Sequence, residues 1–255
     1  MREPSARESG NALKGRLAEV YVPALVEGTL DALSRRLGNR ATVDDPIFGR
    51  ASTLSSIDPL LKKFAARFQG QEASYRHVAT SLGVDRDVAE GILSFVVDGK
   101  ARELPIAVVA ERRRLREIEL RIYYASLEPD RRQRLPLAAA RDDVAIPQIV
   151  AHVLDALRKG AVERILAAFE EGSRWVDPLG VPYAKRDGSM ATFLSNLRGR
   201  IDVSPSGSAD DGRTCCLEAT VSRPSNTGIE PESIALAFER GDTGLLRELR
   251  LYYEP

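Results

Sequence analysis

Two cysteines, two histidines, two methionines and one tryptophan are all that 255 residues hold of these types. The cysteines, Cys215 and Cys216, are neighbours. On a strand their side chains point to opposite faces, which disfavours a disulfide between them and leaves two reduced packing residues. With so little histidine and cysteine no zinc-ligand spacing occurs, and neither a glycine-rich phosphate loop nor a nucleophile elbow is present. No metal and no cofactor is therefore indicated. Net charge is missing too, since 37 basic residues offset 37 acidic ones, so bulk charge makes no case for nucleic acid. No stretch approaches the ~18 consecutive apolar residues of a membrane span, and the first fifteen residues lack the apolar core of a signal peptide. The expectation is a cytoplasmic protein with neither a nucleic-acid nor a membrane partner.

What the chain does have is a repeat. Asp45 stands 17 residues after Gly28 and Asp177 stands 17 after Gly160. Each Asp precedes a proline, in ATVDDP and WVDPLG, and the two copies are 132 residues apart. The closing segments LREIELRIYY and LRELRLYY end at Tyr124 and Tyr253, 129 apart. Solenoid units run ~20–50 residues and must stack, whereas ~110–130 residues bury a core alone. The chain therefore reads as two tandem domains, 12–127 and 144–255, joined by a charged, proline-bearing linker.

Within each unit the order is helix, helix, strand, helix, then three or four antiparallel strands, an α+β architecture. Leu13, Leu17, Val20, Tyr21, Ala24 and Leu25 recur at helical spacing from Ala12. Gly28 breaks the helix, Thr29 caps a second over 30–37, and Ser56 caps a third that runs to about Phe68. Strands are expected over about 72–82, 87–97, 102–111 and 115–125, with a hairpin turn at Asp98-Gly99. The arginine run at 112–114 reads as a solvated hairpin tip, with phosphate binding as its alternative. The second unit repeats the order, with helices over 149–157, 162–169 and 190–197 and a short strand over 175–177. Its later strands are expected over about 201–203, 213–221, 232–238 and 245–253.

The stretch from Tyr21 to Pro46, above all ATVDDP, resembles the ketosteroid isomerase branch of the nuclear transport factor 2 superfamily. WVDPLG resembles the same position in SnoaL-like polyketide cyclases and in two-domain polyether epoxide hydrolases. The resemblance implies two cone-shaped domains, each a curled, mainly antiparallel sheet wrapped around a long helix, packed as an intramolecular pseudo-dimer. It also implies site residues. Asp45 matches the proton-shuttling base, Tyr21 the oxyanion donor, and Glu72 the acid of the epoxide hydrolases. Ala107 stands where isomerases carry an assisting acid. In the second unit Asp177 matches the base, while Val153 and Ser204 replace the tyrosine and the glutamate.

Two carboxylates in an apolar cone do not both ionise easily, so one serves as acid and the other as base. Alternation along the last strands puts Leu120, Ile122 and Tyr124 in one lining and Leu251 and Tyr253 in the other. Glu119, Arg121, Glu248 and Arg250 fall on the opposite parity. Trp175 shares the face of Asp177 and joins the expected substrate-binding set. The function implied is cofactor-free acid–base catalysis, by epoxide opening, cyclisation or isomerisation, on a small apolar oxygenated molecule such as a polyketide. The alternative is a non-catalytic binding or interaction protein, because Asp before Pro is also common turn chemistry.

Overall fold

The structure, a computed structural model, describes residues 15–113, 117–125, 141, 143–197, 201–222 and 231–253. The start of the first helix at Ala12, the domain limits at 12 and 127, Arg114 and most of the linker lie outside the described residues.

Helix α1 (Leu17–Glu27) buries Leu17, Ala18, Val20, Tyr21, Val22, Ala24 and Leu25. It continues past Pro23 and stops at Gly28, whose φ of 73° is the left-handed conformation that a C-cap requires. Helix α2 (Leu30–Leu37) follows Thr29, whose side chain makes no capping hydrogen bond. Strand β1 (Ala41–Asp45) turns Ala41, Val43 and Asp45 inward, and β2 (Gly49–Ala51) pairs back on it. Helix α3 (Leu54–Phe68) starts two residues before Ser56. The Ser56 hydroxyl there accepts the Thr53 amide at 3.1 Å, so Thr53 precedes the helix and Ser56 lies inside it. Strands β3 (Ser74–Leu82), β4 (Arg86–Val97), β5 (Lys100–Arg112) and β6 (Ile118–Tyr124) complete the half. Asp98 and Gly99 take φ values of 52° and 69° in the β4–β5 turn, as a tight hairpin demands.

The second half repeats this with α4 (Gln148–Lys159), α5 (Val162–Ala167), β7 (Phe169–Val176), β8 (Pro182–Ala184) and α6 (Ser189–Asn196), then β9 (Asp202–Asp210), β10 (Thr214–Ser222), β11 (Pro231–Arg240) and β12 (Leu246–Tyr252). Strand order is β2-β1-β6-β5-β4-β3 in one sheet and β8-β7-β12-β11-β10-β9 in the other. Position by position the orders agree, and in each sheet one pair is parallel, β1 with β6 and β7 with β12. The architecture is α+β in two tandem halves. Boundaries differ from the sequence reading in the second half: Phe169 opens β7, where it pairs with Leu246, instead of ending a helix, β7 runs over Phe169–Val176 instead of 175–177, and β9 runs on to Asp210 instead of stopping near 203.

Parity along the closing strands follows the expected alternation, but its polar face does not meet water. Leu120, Ile122 and Tyr124 are buried in the first core. Their neighbours Glu119, Arg121 and Tyr123 are buried on the other face, and Tyr123 joins Val88, Ala107 and Val109 in the apolar cluster of the second half. Two matching ionic clusters lie on this face. Glu218 of β10 accepts Arg121 Nε, Arg86 NH1 and the Tyr123 hydroxyl at 2.7, 2.7 and 2.8 Å. Glu90 of β4 accepts Arg250 Nε and the Tyr252 hydroxyl, both at 2.7 Å. Each glutamate comes from one half and its arginine–tyrosine pair from the other. A strand irregularity adjoins each, at His77/Ala79 beside Glu90 and at Glu218/Ala219.

Gly207 on β9 is opposite Glu218, and a Cβ there would run into the Arg86 guanidinium. Arg86 is 2% exposed and its guanidinium is held on Glu218, so moving it breaks a buried ion pair. Gly207→Ala is expected to lower stability by about 1–3 kcal/mol through overpacking, read as a fall in the urea midpoint. An unchanged midpoint would show that Arg86 can be displaced without loss.

Candidate functional site

Burial decides the character of the first-half site. Asp45 ends β1 between β2 and β6 and is 1% exposed. Its Oδ1 accepts the amides of Ile47 and Phe48, each at 2.9 Å, which is the Asx turn that an Asp-Pro step builds. The same oxygen accepts the Tyr124 hydroxyl at 3.1 Å. Oδ2 is buried with no hydrogen-bond partner, and so is the hydroxyl of Tyr21. Desolvation pushes the Asp45 carboxyl up to about 6, against the lowering effect of its three hydrogen bonds. Burial, and then the nearby Asp45 charge, hold the phenols of Tyr21 and Tyr124 well above their ordinary range. Both are therefore protonated donors at neutral pH. The site is a titratable carboxyl and two phenols in an apolar interior.

The same core holds Leu33, Ile57, Leu61 and a chain of rings. Phe48 meets Phe64 at 5.5 Å between centroids, Phe64 meets Phe68 at 5.2 Å, and Phe68 meets Phe95 at 5.2 Å. Three cavities have other linings. One lies at the start of α1, one between α1 and β3 beside Tyr75 and His77, and one between the halves beside Asp177, and Asp45 lines none of them.

Glu72 is not part of this arrangement. It precedes β3 in a turn with a left-handed φ of 49° and is exposed, while three strands separate β1 from β3 in the sheet. The carboxylate whose charge acts on Asp45 is its neighbour Asp44. The spacing of 27 residues did not allow for the turn that α3 needs before β3 begins. Ala107 is also off the interior face. It packs against the second half, and Ile106 and Val108 look into the first core.

In the second half Asp177 is only half-buried. Its Oδ1 accepts the amides of Leu179 and Val181 at 2.9 and 2.8 Å, and its Oδ2 accepts the Tyr183 hydroxyl at 3.3 Å. Every oxygen of this carboxylate is engaged. Trp175 packs between Phe169 and Phe193, with centroids at 6.4 and 5.8 Å, and its indole N–H has no acceptor. Leu251 and Tyr253 are buried, and Leu251 reaches the cavity between the halves, which Asp177 also lines. Val153 fills the position that Tyr21 holds in the first half, and it is buried in apolar company.

The sequence named Tyr124 as lining and missed its hydrogen bond to Asp45. That contact depends on parallel pairing of β1 with β6, and no local residue pattern announces a parallel partner ~75 residues away. Among the described residues no group of three or more His, Cys, Asp or Glu is placed to hold a metal ion. No helix among them is long and apolar enough to cross a membrane.

No family model matches this chain, and no curated protein does. Solved structures do. An NTF2-like protein of unknown function from Cytophaga hutchinsonii is 13% identical over 45% of this chain and 95% of its own, with a TM-score of 0.36. The epoxide hydrolase/cyclase-like enzyme SalBIII of pyran ring formation in the polyether salinomycin is 18% identical over 42% of this chain and 88% of its own, at 0.37. The canthaxanthin-binding Orange Carotenoid Protein of Anabaena (Nostoc) is 15% identical over 48% of this chain and 43% of its own, at 0.37. Each match takes in about half of this chain.

Proposed function

We propose that the first half binds a small, largely apolar, oxygenated molecule in its interior and transfers a proton with Asp45 as the base. The observation that carries this reading is the pair of buried atoms without partners, Asp45 Oδ2 and the Tyr21 hydroxyl. A buried polar atom left unpaired costs roughly 1–3 kcal/mol, so a ligand that accepts from Tyr21 and gives a proton to Oδ2 removes two such costs together. With its carboxyl at about 6, Asp45 is mostly ionised at neutral pH and close enough to it to hold and return the proton. Tyr21 stabilises negative charge that develops on the ligand oxygen. One carboxylate then alternates between base and acid, which is the requirement of isomerisation. Epoxide opening by a second carboxylate loses its acid, because Glu72 is on an exposed turn.

The domain limits 12–127 and 144–255 and the pseudo-dimer belong to the same proposal. Reciprocal placement of Glu90 with Arg250 and Tyr252, and of Glu218 with Arg121 and Tyr123, supports a rough two-fold between the halves. In this reading the second half supports the first, since Asp177 has no free oxygen and Val153 replaces the phenol.

The test is exchange of the α-proton of small β,γ-unsaturated ketones in deuterated water. Asp45→Asn is expected to slow exchange by roughly 10²–10⁴-fold, with a smaller loss for Tyr21→Phe and little for Asp177→Asn. Exchange that survives Asp45→Asn ends the catalytic reading. The second reading, a non-catalytic ligand-binding protein, is favoured by the packed rings from Phe48 to Phe95, and it predicts ketone binding without exchange.

A further inference from the structure

We propose that the first half carries a second small-molecule site, separate from Asp45, where His77 Nδ1 and the Tyr75 hydroxyl together bind the hydroxyl group of a small apolar alcohol or phenol. Both side chains line a cavity of about 480 Å³ between α1 and β3, a size within the ~300–1,000 Å³ of small-molecule sites. Val20, Pro23 and Val26 of α1 give it an apolar wall. Glu19 and Glu27 are the other polar residues of the lining.

A strand irregularity builds the site. Residues three apart on a regular strand point to opposite faces, yet His77 Nε2 and Thr80 Oγ1 meet at 2.8 Å. The register of β3 against β4 shifts between His77 and Ala79, so Val78 is an extra residue that returns Thr80 to the face of His77 and α1. The Thr80 hydroxyl then donates to Glu19 Oε1 at 2.8 Å. Glu19 is ionised: burial raises its pKa, but the Arg16 amide and the Thr80 hydroxyl, with the charges of His77 and Arg16, outweigh that effect. A carboxylate only accepts, so the single Thr80 hydroxyl hydrogen goes to Glu19 and the Thr80 oxygen accepts from the imidazole. In neutral His77 this fixes the Nε2–H tautomer. Nδ1 is then an acceptor, and it has no hydrogen-bond partner among the described residues.

A donor stands beside it. Tyr75 shares the face of His77, and its ring lies over Gly91, where an added Cβ would collide with the ring and its hydroxyl oxygen. Gly91 is the cross-strand partner of His77, and such partners have Cβ positions about 4.5–5.5 Å apart, so the phenol oxygen is next to the imidazole. Burial, and then the charges of Glu90 and Glu19, hold the Tyr75 phenol above its ordinary range, which keeps it a protonated donor. An acceptor and a donor side by side complement a hydroxyl, which offers the reverse pair. The fold does not require this arrangement. The second half builds the same irregularity in β9, and matching the two there, with α1 matched to α4 through Gly28 and Gly160, puts Val203, Pro205, Ser208 and Ala151 at the positions of Tyr75, His77, Thr80 and Glu19. Ser208 donates to the Ala145 carbonyl instead.

Imidazole nitrogen-15 NMR of the full chain tests this at about pH 8, where an ordinary imidazole is neutral. The chain has two histidines, so His152→Gln identifies the signals of His77. The free protein is expected to show a protonated Nε2 and an unprotonated Nδ1. The probe is 2-naphthol, and its control is 2-methoxynaphthalene, which keeps the rings and has no O–H. The probe is expected to move the Nδ1 signal to saturation, and the control to leave it in place. Tyr75→Phe is expected to weaken 2-naphthol binding by about three- to tenfold, the worth of one neutral hydrogen bond. Thr80→Val is expected to mix the two tautomers and Thr80→Ser to restore Nε2–H, a signature that packing alone would not produce. A protonated Nδ1 in the wild type, or tautomers that Thr80→Val leaves unmixed, would overturn the relay and the site with it. So would no response to 2-naphthol at millimolar concentration, an equal response to the control, or an affinity that Tyr75→Phe leaves unchanged.

Discussion

Glu218→Ala is expected to cost about 3–5 kcal/mol of stability. The residue is 2% exposed and neutralises two arginines, Arg121 and Arg86, which are 1% and 2% exposed. Removal leaves the two buried cations to Glu111, which contacts both, with Asp85 beside Arg86 and Glu119 beside Arg121, and it leaves the Tyr123 hydroxyl without its acceptor. The aliphatic gap adds to this, but the loss of the fully buried counter-charge dominates. Glu218→Gln retains the shape and one acceptor for Tyr123, so it is expected to lie between alanine and wild type. Glu90→Ala is expected to behave alike through Arg250 and Tyr252. The two clusters share no residue, so the losses should add. Acid has the same target. Burial raises the Glu218 pKa, yet Arg121 and Arg86 outweigh it and hold the carboxyl below its ordinary value. The stability that this group contributes is therefore present above the ordinary glutamate range and is lost as pH falls through the depressed value. Urea unfolding at neutral pH decides the matter, and a loss under about 1 kcal/mol for Glu218→Ala would mean that water enters the face and solvates the arginines.

Much of the fold was legible because it is written locally. Gly28 and Gly160 stop helices, Asp98-Gly99 turns a hairpin, and alternation along β6 and β12 separates Leu120 and Leu249 from Arg121 and Arg250. Long-range pairing left no such mark. The same alternation reads identically whether the polar face of a strand meets water or the polar face of a second sheet, so the parity of Arg121 did not announce that it is 1% exposed. Carboxylate pairing failed for a related reason. Asp45 could be placed by its Asp-Pro turn, but Glu72 was placed by counting across α3 and the turn after it. A two-residue error there moves a side chain from a strand to an exposed turn. Tyr21 was singled out by a fixed spacing from Asp45, and its hydroxyl is buried without a hydrogen-bond partner.

The second large effect is the loss of one pH-dependent contribution to stability when Asp45 is replaced. Its carboxyl is raised from 3.8 to about 6, chiefly by desolvation. The folded state thus binds the proton more tightly than the unfolded chain. Stability from this group is fully present below about pH 4 and is lost as pH rises through about 6. A shift of about two units corresponds to roughly 3 kcal/mol, which is the cost of holding an ionised Asp45 in the core at neutral pH. Asn is the informative replacement because its amide oxygen can still accept Ile47, Phe48 and Tyr124, as Oδ1 does now. Its NH₂ group then stands where Oδ2 has no partner. Asp45→Asn is therefore expected to stabilise the protein at pH 7 by about 1–3 kcal/mol, while it slows the proposed proton transfer. The gain should shrink as pH falls from 7 towards 4, where wild type is protonated as well. Urea unfolding of both proteins across that range gives the difference directly. A difference that stays flat with pH would mean that Asp45 is solvated and ordinary, and the proton-transfer site would lose its physical basis.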